Sequence, residues 1–204
     1  SIHYAPGIGA FATGGAIRTA WAAQGFENGK LGYPAGHEYC GLAGGGCYQA
    51  FENGSIHFAP GVGAYFTTGA IRGTWSVQGF ETGKLGYPTG NEICGLTGGG
   101  CYQTFQGGVV HYAAGVGAFA TWGGIRDTWG ALGFEKSKLG YPVSGEVCGL
   151  TGGGCYQGFQ NGSIHYATGV GAFATWGAIR GSWGALGFEK SALGYPTAHE
   201  TCGL

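Results

Sequence analysis

The sequence predicts an α+β repeat protein that is mostly β-structure, with one short helix in each repeat. The tetrapeptide Leu-Gly-Tyr-Pro returns every 54 residues, beginning at Leu31, Leu85, Leu139 and Leu193. An Ile-Arg-x-x-Trp block and an Ile/Val-His-Tyr/Phe segment return with the same period. Glycine accounts for 49 of the 204 residues, yet aromatic residues make up 15%, which favours a folded, turn-rich chain over a disordered one.

The period divides the chain, taken as a single repeat domain of residues 1–204, into four repeats. Repeat 1 covers residues 1–54, repeat 2 residues 55–108, repeat 3 residues 109–162, and repeat 4 the incomplete stretch 163–204. The part missing from repeat 4 corresponds to residues 43–54. We therefore expect the sequence to stop within a repeat or to begin elsewhere in the cycle. The start at Ser1, without Met, predicts a mature or trimmed product.

The first element predicted in each repeat is a helix, at residues 16–24 in repeat 1. Ile17 and Trp21 lie four residues apart and share one face, and Gly25 follows as a C-terminal cap. A helix of about nine residues is marginal in isolation, so it must pack against another element. The tryptophans of the Ile-Arg-x-x-Trp blocks are therefore expected in the core: Trp21, Trp75, Trp129 and Trp183.

Strands are predicted at residues 47–51 and 55–59, joined by a hairpin at Asn53-Gly54. A third strand at 64–67 leads into the next helix. Alternation along the second strand places His57 on the face opposite Ile56, away from the main apolar face. Each repeat therefore has one helix and about three short strands, too little to fold alone, so the repeats must stack or close into a ring.

The cysteines form three pairs, each seven residues apart around Gly-Leu-x-Gly-Gly-Gly: Cys40 with Cys47, Cys94 with Cys101, and Cys148 with Cys155. The glycines let the chain double back, so we expect disulfides, each worth roughly 2.5 kcal/mol, in an oxidising compartment. Zinc bound by Cys40, Cys47 and His57 is an alternative, but the spacing is unusual and no fourth ligand is evident. A second alternative is that the cysteines are free thiols. No metal site is predicted, and Cys202 is expected to be unpaired or intermolecular.

Composition and motifs exclude several classes of function. The net charge is −1 and no basic run is present, which argues against nucleic acid and anionic membrane surfaces as partners. No stretch of about 18 apolar residues is present, so membrane insertion is not predicted. The chain has no Gly-x-Ser-x-Gly elbow, phosphate loop or zinc-protease motif. The sequence therefore predicts a protein that is not an enzyme and needs no cofactor.

Three positions carry the same residue type in every repeat and are candidate ligand contacts. They are the arginines Arg18, Arg72, Arg126 and Arg180, the glutamates Glu38, Glu92, Glu146 and Glu200, and the histidines His3, His57, His111 and His165. Arginine and glutamate either form a structural pair or grip sugar hydroxyls. The histidine is either a hydrogen-bonded structural residue or a ligand contact.

A variable position at the helix entry supplies two more candidates. The four repeats carry Gly14, Thr68, Trp122 and Trp176 there. Because a packed core site would not accept glycine, threonine and tryptophan, we expect this position at the surface. The exposed Trp122 and Trp176 would then stack on a sugar ring or contact another protein.

The ordered set of motifs resembles the LGFP repeat family over the whole chain. It runs Ile-Arg-x-x-Trp, Gly-Phe, Leu-Gly-Tyr-Pro, Gly-Gly-Gly-Cys-Tyr-Gln-x-Phe and Gly-Ser-Ile-His-Tyr. Repeats of this family occur in actinobacterial envelope proteins beside catalytic domains, and are implicated in holding them to wall polysaccharide, notably arabinogalactan. The resemblance implies a closed, propeller-like, pseudo-symmetric ring of four 54-residue repeats. The cysteine pairs depart from the family pattern, and no catalytic domain accompanies the repeats in this sequence.

The leading hypothesis is non-catalytic, multivalent binding of cell-wall or surface polysaccharide, in which several weak sites on one body raise the avidity. One alternative is a structural wall or fibre protein that self-associates. Another is the targeting module of a cell-wall enzyme. All three place the protein outside the cell, secreted or associated with the wall, with a polysaccharide or other glycan as the first expected partner.

Overall fold

The computed structural model describes residues 1–201. The chain forms two compact units. The first contains Ser1–Cys94 and Cys101–Val110, and the second contains Gly95–Gly100 and the chain from His111 onward. Each unit is described by itself.

The described residues form fourteen strands and four α-helices. The helices are α1 Gly15–Ala23, α2 Gly69–Val77, α3 Gly123–Leu132 and α4 Gly177–Ala185. The strands are β1 Ile2–Ala5, β2 Gly9–Ala12, β3 Tyr39–Leu42, β4 Gly46–Phe51, β5 Gly54–Ala59, β6 Gly63–Thr68, β7 Ile93–Cys94, β8 Cys101–Phe105, β9 Gly108–Ala113, β10 Gly117–Thr121, β11 Val147–Cys148, β12 Cys155–Phe159, β13 Gly162–Ala167 and β14 Gly171–Trp176.

The strands form four separate sheets in which neighbours along the chain pair with one another. The first sheet is the antiparallel pair β1–β2, and the others are the four-stranded orders β3-β4-β5-β6, β7-β8-β9-β10 and β11-β12-β13-β14. The expectation of about three strands per repeat was therefore one strand short. The extra strand carries the first cysteine of each pair, and Cys40 on β3 lies opposite Cys47 on β4. The α+β repeat architecture, mostly β with one short helix per repeat, is confirmed.

The helix prediction is confirmed with a shift of one residue. Helix α1 ends at Ala23, and Gly25 follows after Gln24 with a φ of 89°, in the left-handed region that ends a helix without a Cβ clash. Trp21 is fully buried, and its indole N–H donates to the Gly32 carbonyl at 3.1 Å. The same bond from helix to Leu-Gly-Tyr-Pro loop recurs in every repeat, from Trp75 to Gly86, Trp129 to Gly140 and Trp183 to Gly194.

The hairpin at Asn53-Gly54 is present, but its register differs from the prediction. Phe51 pairs with Gly54, so the two turn residues are Glu52 and Asn53, and Gly54 begins β5. A Cβ on Gly54 would collide with the carbonyl oxygen of Thr67 on the neighbouring strand. Close strand packing, rather than a turn with positive φ, explains this glycine.

Helices α1 and α3 each pack against the sheet of the following repeat. Helix α1 contacts β5 and β6, and α3 contacts β13 and β14. In the first compact unit, Ile17 and Trp21 of α1 form one cluster with Ile56 of β5 and Phe66 of β6. Full burial of such side chains contributes roughly 1.5–3 kcal/mol each. For these two helices the apolar core lies between adjacent repeats, as expected if one repeat is too small to fold alone.

A buried glutamine reinforces the packing between repeats. Gln49 on β4 is fully buried, and its side-chain N–H₂ donates to the carbonyls of Ala12 in the preceding strand pair and Gly36, both at 2.9 Å. Gln103 and Gln157 make the equivalent bonds, to Phe66 and Gly90 and to Ala120 and Ser144. These contacts were not predicted, because the glutamine recurs without any local pattern that reveals its partners.

The three predicted disulfides are confirmed: Cys40–Cys47, Cys94–Cys101 and Cys148–Cys155. Each ties the first strand of a four-stranded sheet to the second. The zinc alternative is set aside, because these sulfurs bond to each other and offer no thiolate. Cys202, expected to be unpaired or intermolecular, lies outside the described residues. No helix within residues 1–201 is long and apolar enough to cross a membrane.

Candidate ligand-binding site

Three polar side chains meet on one face of the second sheet. Arg72, in the first turn of α2, donates from Nε to the hydroxyl of Ser55 on β5 at 2.9 Å. The Nδ1 atom of His57 lies 3.4 Å from the same hydroxyl oxygen. Residues two apart on a strand point to the same face, which brings serine and histidine together beneath the helix. The serine therefore orients both groups.

A phenylalanine in an unusual backbone conformation completes this arrangement. Phe80 has φ 52°, in the left-handed region, where a bulky side chain costs roughly 1–3 kcal/mol. Its ring lies 5.5 Å from the guanidinium carbon of Arg72 and stacks with His57 at 6.2 Å. The equivalent residues Phe26, Phe134 and Phe188 adopt the same conformation. A strained residue kept in all four repeats is typical of a functional position.

We call the histidine, arginine and phenylalanine of each repeat its His–Arg–Phe cluster. The four clusters are His3, Arg18 and Phe26; His57, Arg72 and Phe80; His111, Arg126 and Phe134; and His165, Arg180 and Phe188. In each cluster the guanidinium carbon lies 5.5–6.0 Å from the phenylalanine ring centroid. The geometry thus repeats, even though the surroundings of the four clusters differ.

In repeat 4 the cluster lines an open pocket of about 270 Å³. Its polar walls come from Arg180, Glu189 and Lys190. Tyr156 stacks on the ring of His165 at 5.3 Å and 15°, and Leu150 and Phe188 supply apolar surface. The volume falls slightly below the usual range for drug-sized ligands, so the pocket suits a single ring.

Burial lowers the pKa of three cluster histidines, His57, His111 and His165, and so keeps them neutral near pH 7. Desolvation, helped by the charge of Arg72, lowers the pKa of His57 to about 3. Desolvation and then Arg126 lower the pKa of His111 to about 4. For His165 desolvation again dominates; Glu189 opposes it and Arg180 adds to it, leaving the pKa at about 4. A neutral imidazole has one donor and one acceptor nitrogen, which matches the mixed character of a hydroxyl group.

The cluster of repeat 3 departs from the others. Val109 stands where repeats 1, 2 and 4 have serine. The Nε atom of Arg126 is buried and has no hydrogen-bond partner within residues 1–201. Its Nη1 atom lies 3.7 Å from the Asp127 carboxylate. By contrast, Arg180 in repeat 4 donates to Ser163 at 2.7 Å.

The structure brings together the predicted histidines and arginines but gives the predicted glutamates other partners. Glu92 pairs with Lys30 at 3.5 Å and accepts from the hydroxyl of Thr68. Glu200 accepts from the backbone N–H of Trp176. A carboxylate oxygen lies near a disulfide sulfur in the other two cases, 3.6 Å for Glu38 and 3.2 Å for Glu146. The carboxylate in the repeat 4 pocket is instead Glu189, next to Phe188.

The tryptophans divide as follows. The helix residues Trp21, Trp75, Trp129 and Trp183 are buried, as predicted. Trp122 and Trp176 are half-buried rather than fully exposed. Trp176 packs against a core cluster that includes Leu139, and Lys138 Nζ lies 5.7 Å from its ring centroid. The variable position therefore borders the core, and at Trp176 the large side chain packs against Leu139 and Lys138 of the preceding repeat. This weakens the case for sugar stacking at Trp176.

Sequence reasoning missed the serine, the strained phenylalanine and the pocket carboxylate. A visible signal was the tripeptide Gly-Phe-Glu, which begins at Gly25, Gly79, Gly133 and Gly187. His57 does occupy the face opposite Ile56, as predicted, but that face is also buried, against Trp75 at 4.6 Å. The alternation of residues along β5 does not predict that α2 covers the face that carries His57.

Comparison with known proteins gives one result. The family model described as the LGFP repeat matches residues 31–83, 85–137 and 139–191, well over half of the chain. Each matched segment contains one four-stranded sheet and the helix that follows it. No curated protein matches the chain.

Proposed function

Because the chain belongs to the LGFP repeat family, we propose that it binds cell-wall or other surface polysaccharide, without catalysis, through its His–Arg–Phe clusters. One observation carries the proposal. An imidazole, a guanidinium and a strained phenylalanine recur in every repeat, and in repeat 4 they line an open pocket.

The chemistry of this pocket suits a sugar ring. The apolar face of a sugar packs against aromatic surface, here Tyr156 and Phe188. Its hydroxyls accept hydrogen bonds from Arg180 and donate to Glu189, and charge-assisted bonds of this kind are stronger than neutral ones. The bond from Arg180 to Ser163 orients the guanidinium before the ligand arrives, which lowers the cost of binding.

Repetition compensates for weak single sites. A pocket for one sugar ring binds loosely, but several pockets on one chain raise the effective concentration for a polymeric ligand. The disulfides suit an oxidising compartment, so we place the protein outside the cell, secreted or wall-associated.

Sedimentation with insoluble wall polysaccharide tests the proposal. We expect the protein to be retained, and the double variant Arg72→Gln plus Arg180→Gln to bind at least tenfold more weakly. Lys84→Gln, outside the clusters, is the control and should bind normally; circular dichroism checks that each variant folds. If no wall fraction and no glycan array retains the protein, the proposal is wrong.

The closed, propeller-like ring stays a prediction. Closure requires a sheet to cover α4 as β5 and β6 cover α1. Ile179 of α4 is 54% exposed and Ile2 of β1 is 75% exposed, whereas their equivalents Ile17 and Ile56 are buried. In a ring, cysteines at positions 2 and 179 would cross-link within one chain, so the oxidised variant would run as a monomer on a non-reducing gel.

Self-assembly is the second candidate, and one observation favours it. A cavity of about 420 Å³ lies along the outer face of α4, walled mainly by apolar side chains that include Ile179, Leu186 and Leu193. A second copy that covers this face would produce chains of molecules. Light scattering tests this, because a monomer that persists at high concentration excludes self-assembly.

A further inference from the structure

Repeats 2 and 4 have matching clusters but differ in one charged side chain. At both clusters a tyrosine of the preceding repeat stacks on the histidine at 5.3 Å, and a serine accepts a hydrogen bond from the arginine. After the Gly-Phe-Glu tripeptide, repeat 2 has Thr82 and repeat 4 has Lys190. Lys190 lines the repeat 4 pocket, so this substitution alters the charge that a ligand meets.

The charges of the two sites can be compared residue by residue. The repeat 4 pocket contains two cations, Arg180 and Lys190, and one carboxylate, Glu189, which gives one net positive charge. The carboxylate is 8% exposed, so little of its surface faces the pocket, which leaves room for only a single hydroxyl contact. Repeat 2 has Arg72 and Glu81 at the equivalent positions and therefore no net charge.

We propose that the repeat 4 pocket binds an acidic sugar, whose carboxylate or phosphate is held by Arg180 and Lys190. The cluster of repeat 2, which lacks this lysine, should show no preference for an acidic sugar over a neutral one. This inference rests on the proposed function and adds the class of ligand. The guanidinium presents a planar fork to an anion, and lysine adds a mobile point charge. One chain would then recognise polysaccharide that carries both neutral and acidic residues.

Reciprocal exchange of the two residues tests this inference. The probes are methyl β-D-glucuronide for the carboxylate, glucose 6-phosphate for the phosphate and methyl β-D-glucoside for the neutral sugar. The backbone amide signals of Gly187 and Gly79 in NMR spectra report on the two sites separately. At Gly187 we expect an acidic probe to bind at least fivefold more tightly than the neutral probe, and salt to reduce this preference.

The variants localise the effect. Lys190→Thr should abolish the preference at Gly187, and Thr82→Lys should create one at Gly79. Lys84→Thr removes the same charge outside the clusters and should change neither. A response to only one acidic probe identifies carboxylate or phosphate as the ligand group and supports the inference.

Two results would overturn the inference while leaving the proposed function intact. One is equal affinity of acidic and neutral probes at Gly187 in the unmodified protein. The other is a folded Thr82→Lys variant that gains no preference for an acidic probe at Gly79. A Lys84→Thr variant that loses as much of the preference at Gly187 as Lys190→Thr does would count in the same way. By contrast, no response at either glycine to any probe, together with no retention on wall polysaccharide, would overturn the proposed function itself.

Discussion

The two faces of β5 are both buried, but they are built from different chemistry. On one face, Ile56 packs against Ile17 and Trp21 of the preceding helix. On the other face, Ser55 and His57 contact Arg72 and Trp75 of the following helix. The first face is apolar and holds adjacent repeats together. The second contains hydrogen bonds, a cation and a strained neighbour, Phe80. We infer that stability depends mainly on the first face and binding on the second.

The largest expected effect is a core truncation on the apolar face. Ile56→Ala should lower the free energy of unfolding by roughly 2–5 kcal/mol, because it leaves a cavity between α1 and the second sheet. Ile2 occupies the equivalent position in repeat 1 but is 75% exposed, so Ile2→Ala is a matched control that should change little. Urea unfolding measures both. Equal losses in the two variants would contradict the stabilising role assigned to the contact between Ile56 and α1.

Acid should destabilise the protein through the polar face. The pKa of His57 is about 3 in the folded chain and about 6.5 when unfolded. Since the unfolded chain binds the proton more tightly, the contribution of His57 is complete above pH 6.5 and declines as the pH falls toward 3. The slope is at most about 1.4 kcal/mol per pH unit for each such histidine.

The urea midpoint measured between pH 7 and pH 4 tests this dependence. His57→Gln, which cannot titrate, should unfold with a shallower pH dependence than the unmodified protein. An unchanged slope in that variant would show that His57 does not carry the effect.

A smaller effect on stability is expected at the strained phenylalanine. Phe80→Gly removes the ring beneath Arg72 but also relieves the positive φ, so the two changes oppose each other. The free energy of unfolding should change by about 1 kcal/mol or less, while sugar binding monitored at Gly79 falls at least fivefold. Large destabilisation with unchanged binding would reverse the roles assigned to the two faces.

The smallest effect on binding is expected from copying the valine of repeat 3 into repeat 4. Ser163→Val removes the acceptor for Arg180 Nε and reproduces Val109. Loss of the hydrogen bond is partly offset by the buried methyl groups of valine, so the cost should be about 1 kcal/mol. Because Arg180 would then be less well oriented, the pocket should bind sugar severalfold more weakly in titrations followed at Gly187. Ser163→Thr, which keeps the hydroxyl, is the control.

Local patterns explain which predictions held. The helix, its Gly25 cap and the buried Trp21 follow from spacing and glycine chemistry within ten residues. The disulfides follow from two cysteines separated by a glycine-rich stretch. A two-residue strand such as β7 has no pattern of its own, and the hairpin register depended on the close approach of β6 to Gly54.

The sequence alone determined the period, the number of repeats, the class of secondary structure and the cysteine pairing, since each is encoded by nearby residues. Only the tertiary structure showed that the helix of one repeat, such as α1 or α3, packs on the sheet of the next. The residues of a short segment do not specify which distant element it will contact. The same packing buries both faces of β5 and brings Arg72 into contact with Ser55 and the Phe80 ring. It also pairs Glu92 with Lys30 rather than with an arginine. The candidate site is thus a product of long-range packing, which brings side chains from a strand, a helix and a strained turn to one place.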